Sequence, residues 1–483
     1  MKIIKAIITN PSRYSNQLKK FIYTSEHFGI LKYMLRWTLI IIPVAVAIGS
    51  MVALFLWLLS WAIHFRFSHT WLLFLLPVAG VLIHFIYQWA GKSAEKGNNL
   101  IIDEIHEPGA GVPARMGPII LITTVITHLF GGSAGREGTA VQIGGSLAAL
   151  LGKWFKLSGD DMRMLLTAGI AAGFGAVFGT PLTGAVFALE VLTIGKIKYD
   201  ALLPALVASI IADITVGAWH IHHTAYHIDI IAKTPYFLSD YLPLDLLLVA
   251  KVIIASIAFG LASYLFAIMV HEIKAGFVKV FSTKWLIPVF GGLIIIGLTY
   301  LIGKPDYLSL GVDAQYPGAV TIPSSFHLGG ADTWSWLWKT IYTTITLGTG
   351  FKGGEVTPLF YIGSTLGNTL SNLLNAPVSL FAALGFIGVF AGATNTPLAC
   401  TFMGIELFGG EYALLFAIAC FTAYFFSGNS GIYSSQKIAV PKVLDGYFAD
   451  EQSLSEANKR RGYIHQKLYK YSITSSKTNK EQS

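Results

Sequence analysis

Charge is what this sequence has least of. Only 12% of its 483 residues are Asp, Glu, Lys or Arg, while 54% are hydrophobic, about half the charged share of an ordinary soluble domain. That balance excludes a soluble globular protein. Cysteine is nearly absent too: Cys400 and Cys420 both lie in apolar segments, so neither a disulfide framework nor a metal or cofactor site is expected. The first 36 residues are basic and polar with no short apolar core, so no cleaved signal peptide is expected. No soluble domain is visible that would turn the net charge of +8 towards nucleic acid.

What is there is apolar length. Trp37 to Phe65 and Trp71 to Ala90 match the roughly 20 residues of a membrane-crossing helix, so the expected fold class is an all-α integral membrane protein set in a lipid bilayer. Basic residues crowd the ends, with Lys19, Lys20, Lys32 and Arg36 before the first span and Lys459, Arg460 and Arg461 after the last. Positive charge stays inside, so both termini are expected in the cytoplasm, with an even number of crossings.

Later apolar segments, such as 118–130, 140–151 and 381–391, are short and cut by Gly, Pro, Thr and Asn. Broken helices survive at membrane depth only when buried in protein or lining a wet cavity. They also repeat. "GTPLTGAVFALEVL" from Gly179 aligns with "NTPLACTFMGIELF" from Asn395 at an offset of 216, bringing Glu190 onto Glu406; "EGT" from Glu137 aligns with "EVT" from Glu355 at 218. Two repeats are expected, 37–218 and 244–443, joined by a loop at 219–243 and flanked by a basic segment, 1–36, and a polar, disordered cytoplasmic tail, 444–483. Paired broken helices point to a transporter's binding site near the bilayer midplane.

Each interruption has the form of a helix start. Pro181, Pro358 and Pro397 follow Thr and open apolar runs, and Gly138-Thr139 opens another. A helix start offers free N–H groups and positive potential, which favours an anion. Arg136 and Lys352 either add positive potential at the mouths or snorkel to the interface. Glu137 is either a cap paired with Arg136, or a carboxyl that alternates between an anion seated on the helix start and a neutral acid that vacates it. In the second case it competes with a transported anion and carries a proton.

"GREGTAVQIGG" resembles the G-[KR]-E-G-P segment of the CLC family of chloride channels and anion/proton antiporters, with Thr139 in place of proline. "GGEVTPLF" resembles that family's G-G-x-F-x-P segment, and "GNSGIYSSQ" supplies Tyr433 at the family's pore tyrosine. The resemblance runs from Arg36 to Val443. It implies two inverted-topology repeats with short, broken and tilted helices, and a homodimer with one pore per subunit. The first family motif, G-S-G-I-P, has two candidates: "GAGVP", Gly109 to Pro113, lies too close to Glu137, whereas "GNNLI", Gly97 to Ile101, sits at the family distance and places Asn98 where an anion-coordinating serine stands.

The departures, Asn98, Thr139 and Glu355, resemble the fluoride-transporting branch. What the resemblance implies is fluoride export coupled to proton import across a prokaryotic inner membrane, with Glu137 as gate and proton acceptor. Asn98 and Tyr433 line the path, amides around Gly138, Glu355 and Val356 face the anion, and Arg136, Thr139, Thr357 and Pro358 support them. The alternative is a chloride channel or chloride/proton antiporter. Val191 stands where chloride/proton antiporters keep a relay acid, which by itself suggests a passive channel; Glu190 and Glu406 are expected to be structural. No enzyme activity is expected: "GGSAG", Gly131 to Gly135, fits a nucleophile elbow around Ser133 but lacks the strand context, "GTGFKG" lacks a βαβ unit, and the histidines 220, 222, 223 and 227 are expected in a solvated loop.

Overall fold

In the first helix, α1 (Glu26–Ser68), 43 residues at about 1.5 Å each give a rod of about 65 Å, twice the thickness of the hydrocarbon core. Its first turns are exposed, and burial begins at Trp37, where the sequence places the first span. The computed structural model describes residues 26–229, 245–442 and 452–457; the expectations for the basic residues up to Lys20, for the connecting loop from 230 and for the tail beyond 457 fall outside the described residues.

After α1 come α2 (Leu76–Ile86), α3 (Asn98–His106), α4 (Met116–Leu129), α5 (Glu137–Trp154), α6 (Asp160–Phe178), α7 (Pro181–Glu190) and α8 (Leu202–Ala218). The second half repeats the pattern: α9 (Leu246–Val280), α10 (Leu286–Ile302), α11 (Ser335–Gly348), α12 (Val356–Leu374), α13 (Val378–Thr394), α14 (Pro397–Phe408) and α15 (Ala413–Phe426). Helices α4 to α7 begin at 116, 137, 160 and 181, and α11 to α14 at 335, 356, 378 and 397, so the duplication read from two motifs extends over four consecutive helices. Packing repeats as well. A methyl group on Gly144 of α5 would stand 2.1 Å from the Gly169 carbonyl of α6, and one on Gly363 of α12 would stand 2.0 Å from the Gly385 carbonyl of α13; in each half, glycine lets two backbones touch.

The repeats are inverted, and two glutamates show it. Glu190 ends α7 and accepts hydrogen bonds from the first-turn amides of α14, Leu398 N at 3.0 Å and Ala399 N at 2.8 Å. Glu406, near the end of α14, accepts from Leu182 N and Thr183 N of α7, each at 2.8 Å, and from Thr183 Oγ1 at 2.6 Å. Helices whose ends cap each other's beginnings run antiparallel, so equivalent elements of the two halves point in opposite directions.

One part of the tail differs from expectation. Strand β1 (Thr193–Ile194) pairs with β2 (Lys437–Ile438), and β2 with β3 (Gln452–Ser453). Leu454 and Ala457 are buried with Ile194 and Ile438, so residues 452–457 dock on the end of the membrane domain rather than trail from it. Leu454 and Ala457 supply the apolar anchor that the polar composition of the tail obscures.

Candidate anion pathway

Two helix starts face each other across the inverted repeat. The loops before α5 and α12 are joined by Gly135 N to Gly354 O at 2.6 Å and Gly354 N to Gly135 O at 2.8 Å. Glycine is required at both places. A methyl group on Gly135 would meet Glu137 Oε2 at 2.7 Å and Pro358 Cδ at 2.9 Å, and one on Gly354 would meet Gly138 N at 2.7 Å. The loop 131–135 is fully buried, which is how irregular backbone is tolerated at membrane depth.

Glu137 is the first residue of α5, and none of it is exposed. Its carboxylate does not cap its own helix alone; it crosses to the start of α12. Oε2 accepts from Thr357 N and from Arg136 N, each at 3.0 Å, and Oε1 accepts from the Thr357 hydroxyl. Hydrogen bonds to a charged acceptor contribute about 1.5–3 kcal/mol each, and the dipole of α12 adds to them. Arg136 keeps its Nε 3.8 Å from Oε1, a loose ion pair rather than a fork. Pro358 is not the residue that opens the second run, as its sequence setting suggests: α12 begins two residues earlier at Val356, with Glu355 as its N-cap, which leaves the Thr357 amide free to serve Glu137.

A third short helix ends on the same point. Gly97, at φ +57°, turns the chain into α3, whose first residue is Asn98. A methyl group on Gly138 would lie 3.0 Å from Asn98 Nδ2, 3.1 Å from Gly354 Cα and 3.7 Å from Glu355 Oε2, so the amide, the second carboxyl and the two glycines surround one spot. The Asn98 Oδ1 is buried without a hydrogen-bond partner. Asn99 accepts from Ser435 N at 3.0 Å and so ties the Tyr433 segment to α3. Tyr433 itself is buried, edge-on to Phe187 at 6.5 Å, and within electrostatic reach of Glu355 and Glu137. The rival segment, Gly109 to Pro113, lies in a largely exposed stretch beyond α3, with Gly111 beside Lys153.

Not every helix start joins. Those of α7 and α14, at Pro181 and Pro397, were expected to welcome an anion; the Glu406 and Glu190 carboxylates already fill them. Lys352 also stands apart from Glu137. It lies 4.2 Å from the Tyr87 ring, on the wall of a cavity of about 330 Å³ shared with His84, Lys92, Glu95, Lys274 and Lys284. Val191 is buried and apolar. The Ser133 hydroxyl pairs with the Thr343 hydroxyl at 2.9 Å, and His128 is fully buried nearby in sequence.

The sequence named Thr139 as a supporting residue but not its partner Thr124. Thr139, in the place of a proline, bonds to Thr124 at 2.7 Å and pins the start of α5 to α4. Thr123-Thr124 of α4 and Thr343-Thr344 of α11 stand 220 residues apart, a repeated pair that was visible as a third match between the halves.

The voltage gated chloride channel family matches residues 78–428. A "chloride/fluoride channel protein" of Pseudomonas syringae pv. tomato is 47% identical over 429 residues, covering 89% of this chain and 92% of its own length. An H(+)/Cl(-) exchange transporter of Vibrio parahaemolyticus is 25% identical over 68% of this chain and 73% of its own. Among solved structures, that of a CLC-type fluoride/proton antiporter superposes with a TM-score of 0.77 at 34% identity, covering 86% of this chain and 100% of that one. A slow cyanobacterial Cl-/H+ antiporter shares the fold at a TM-score of 0.69 and 19% identity, over 82% and 96% of the two chains. With the motif order, the inverted repeat and these matches in agreement, the chain is a multi-pass membrane protein of the CLC, or voltage gated chloride channel, family and belongs to its fluoride branch.

Proposed function

We propose that this protein exports fluoride from a prokaryotic cell in exchange for protons, as a homodimer in the inner membrane with one pore per subunit and both termini in the cytoplasm. The observation that carries the proposal is the Glu137 carboxylate seated on the start of α12, on Thr357 N and Oγ1. Those donors suit any compact anion. When a proton joins Glu137, the carboxyl loses most of its attraction for them and leaves; an anion then takes the same donors. Loss of that proton returns the carboxylate and expels the anion, so the two ions move in opposite directions.

Fluoride holds its water tightly, so a site for it must offer short, strong donors. The Thr357 hydroxyl and amide and the Asn98 side-chain amide are of that kind. Glu355 is the second carboxyl at the spot, and with Val191 apolar and Glu190 committed to α14, it is the group placed to pass protons to Glu137.

A second function keeps one observation on its side. Val191 suits a passive chloride channel, and a relative named as a chloride/proton exchanger shares the family. Liposomes loaded with fluoride or chloride separate the two. We expect fluoride to be driven uphill by a pH gradient and chloride to move at least tenfold more slowly; equal rates for both ions would overturn the fluoride assignment, and flux indifferent to pH would overturn the coupling.

A further inference from the structure

At the last turn of α1, one arginine is buried without an ionic partner among the described residues. Arg66 is 4% exposed. Its guanidinium makes no hydrogen bond and no ion pair with any described residue: Nε is buried and unpaired, the terminal nitrogens reach open space, and the Phe67 ring lies 4.9 Å away. Arginine carries five donors and keeps its charge in any protein setting, and an uncompensated buried charge is among the costliest features a fold can hold. Something outside the protein must answer it.

The space for that something is present. Arg66 lines a cavity of about 20 Å³ together with Leu308, Ser309, Gly311, Gln315 and Val320, room for one water-sized body. Two acids also reach the wall. Asp306 is committed, accepting from Tyr316 OH at 2.7 Å through Oδ1 and from Val320 N at 3.0 Å through Oδ2, and Asp313 is exposed at the rim. A second basic group stands behind the wall: Lys339, fully buried, donates to the carbonyls of Tyr307 and Ser309 at 3.1 and 2.7 Å and has no carboxylate partner among the described residues. Two buried basic groups, Arg66 and Lys339, thus stand near one buried acid, Asp306.

We propose that this cavity is a second anion site, holding one fluoride-sized monovalent anion on the Arg66 guanidinium, separate from the seat of Glu137. Fluoride, close to water in size, fits the space. The site lies at the end of α1 opposite the basic N-terminal end, the face that the proposed orientation puts outside. Arg66 also packs its Cδ 3.6 Å from where a methyl group on Gly131 would stand, against the loop that leads to Arg136 and Glu137. The site rests on the unpaired guanidinium and the space beside it, and not on proton coupling.

Fluoride binding to the purified full-length protein, followed by 19F NMR and calorimetry, tests the proposal. Arg66→Met should remove one bound fluoride per subunit, while the binding that responds to Glu137→Gln persists. Arg66→Lys keeps the charge but not the planar fork, and should weaken the same site at least tenfold; it serves as the variant of record if the methionine protein does not fold. Unchanged fluoride number and affinity in the folded Arg66 variants would mean that water alone fills the cavity, and the proposal would fall.

Discussion

Glu137 was legible in the sequence because its setting is local: an acid between glycines at a break in an apolar run is conspicuous in one line of text. What it touches was not, since Thr357 lies 220 residues away and no spacing rule connects a side chain to a helix start in the other half of the chain. Two substitutions separate the roles at this scale. Thr357→Val keeps the amide and removes the hydroxyl, a loss of about 1.5–3 kcal/mol from the carboxylate's seat; we expect a proton-independent leak to rise about tenfold or more in flux assays, with the protein still folded. Glu355→Gln leaves the seat in place but removes the second carboxyl, so fluoride flux should persist while proton flux falls at least tenfold. Equal loss of both fluxes would show that Glu355 serves the anion and not the proton.

Helix starts were read correctly at Pro181 and Pro397, two residues late at Pro358, and only partly as sites. The sequence shows that Pro181 and Pro397 open helices, and both do; it does not show which ends meet an ion and which meet a carboxylate, because the caps arrive from the opposite repeat. Glu190 and Glu406 therefore belong to the architecture. Replacing Glu190 with alanine leaves the buried Ala399 amide unsatisfied and should cost about 1–3 kcal/mol, seen as a lower unfolding temperature in detergent, with the ratio of fluoride to proton flux unchanged. A Glu190→Ala protein of full stability that no longer moves protons would make Glu190 a relay instead. The glycine contacts are stricter. In Gly385→Ala the new methyl group must displace the Gly363 carbonyl 2.0 Å away, and we expect aggregation or loss of the α12–α13 pairing on size-exclusion chromatography.

Across the whole molecule, hydrophobic length and internal repetition were enough to foresee a helical membrane protein of two related halves, because lipid leaves a chain few other choices. Their relative orientation could not be read from composition; it emerges from reciprocal capping by Glu190 and Glu406 and from the antiparallel bridge between Gly135 and Gly354. The docking of residues 452–457 was hidden for a related reason, since two apolar residues in a polar tail give no periodic signal. Inversion is also what makes the pathway possible: α5 and α12 approach from opposite directions, so the acid of one half can sit on the amide end of the other. That arrangement is the central claim, and fluoride uptake into liposomes against its gradient, driven by a pH difference and compared between the unmodified protein and Glu137→Gln, tests it most directly. The account predicts proton-driven accumulation in the first and none in the second; accumulation that survives in Glu137→Gln would contradict it.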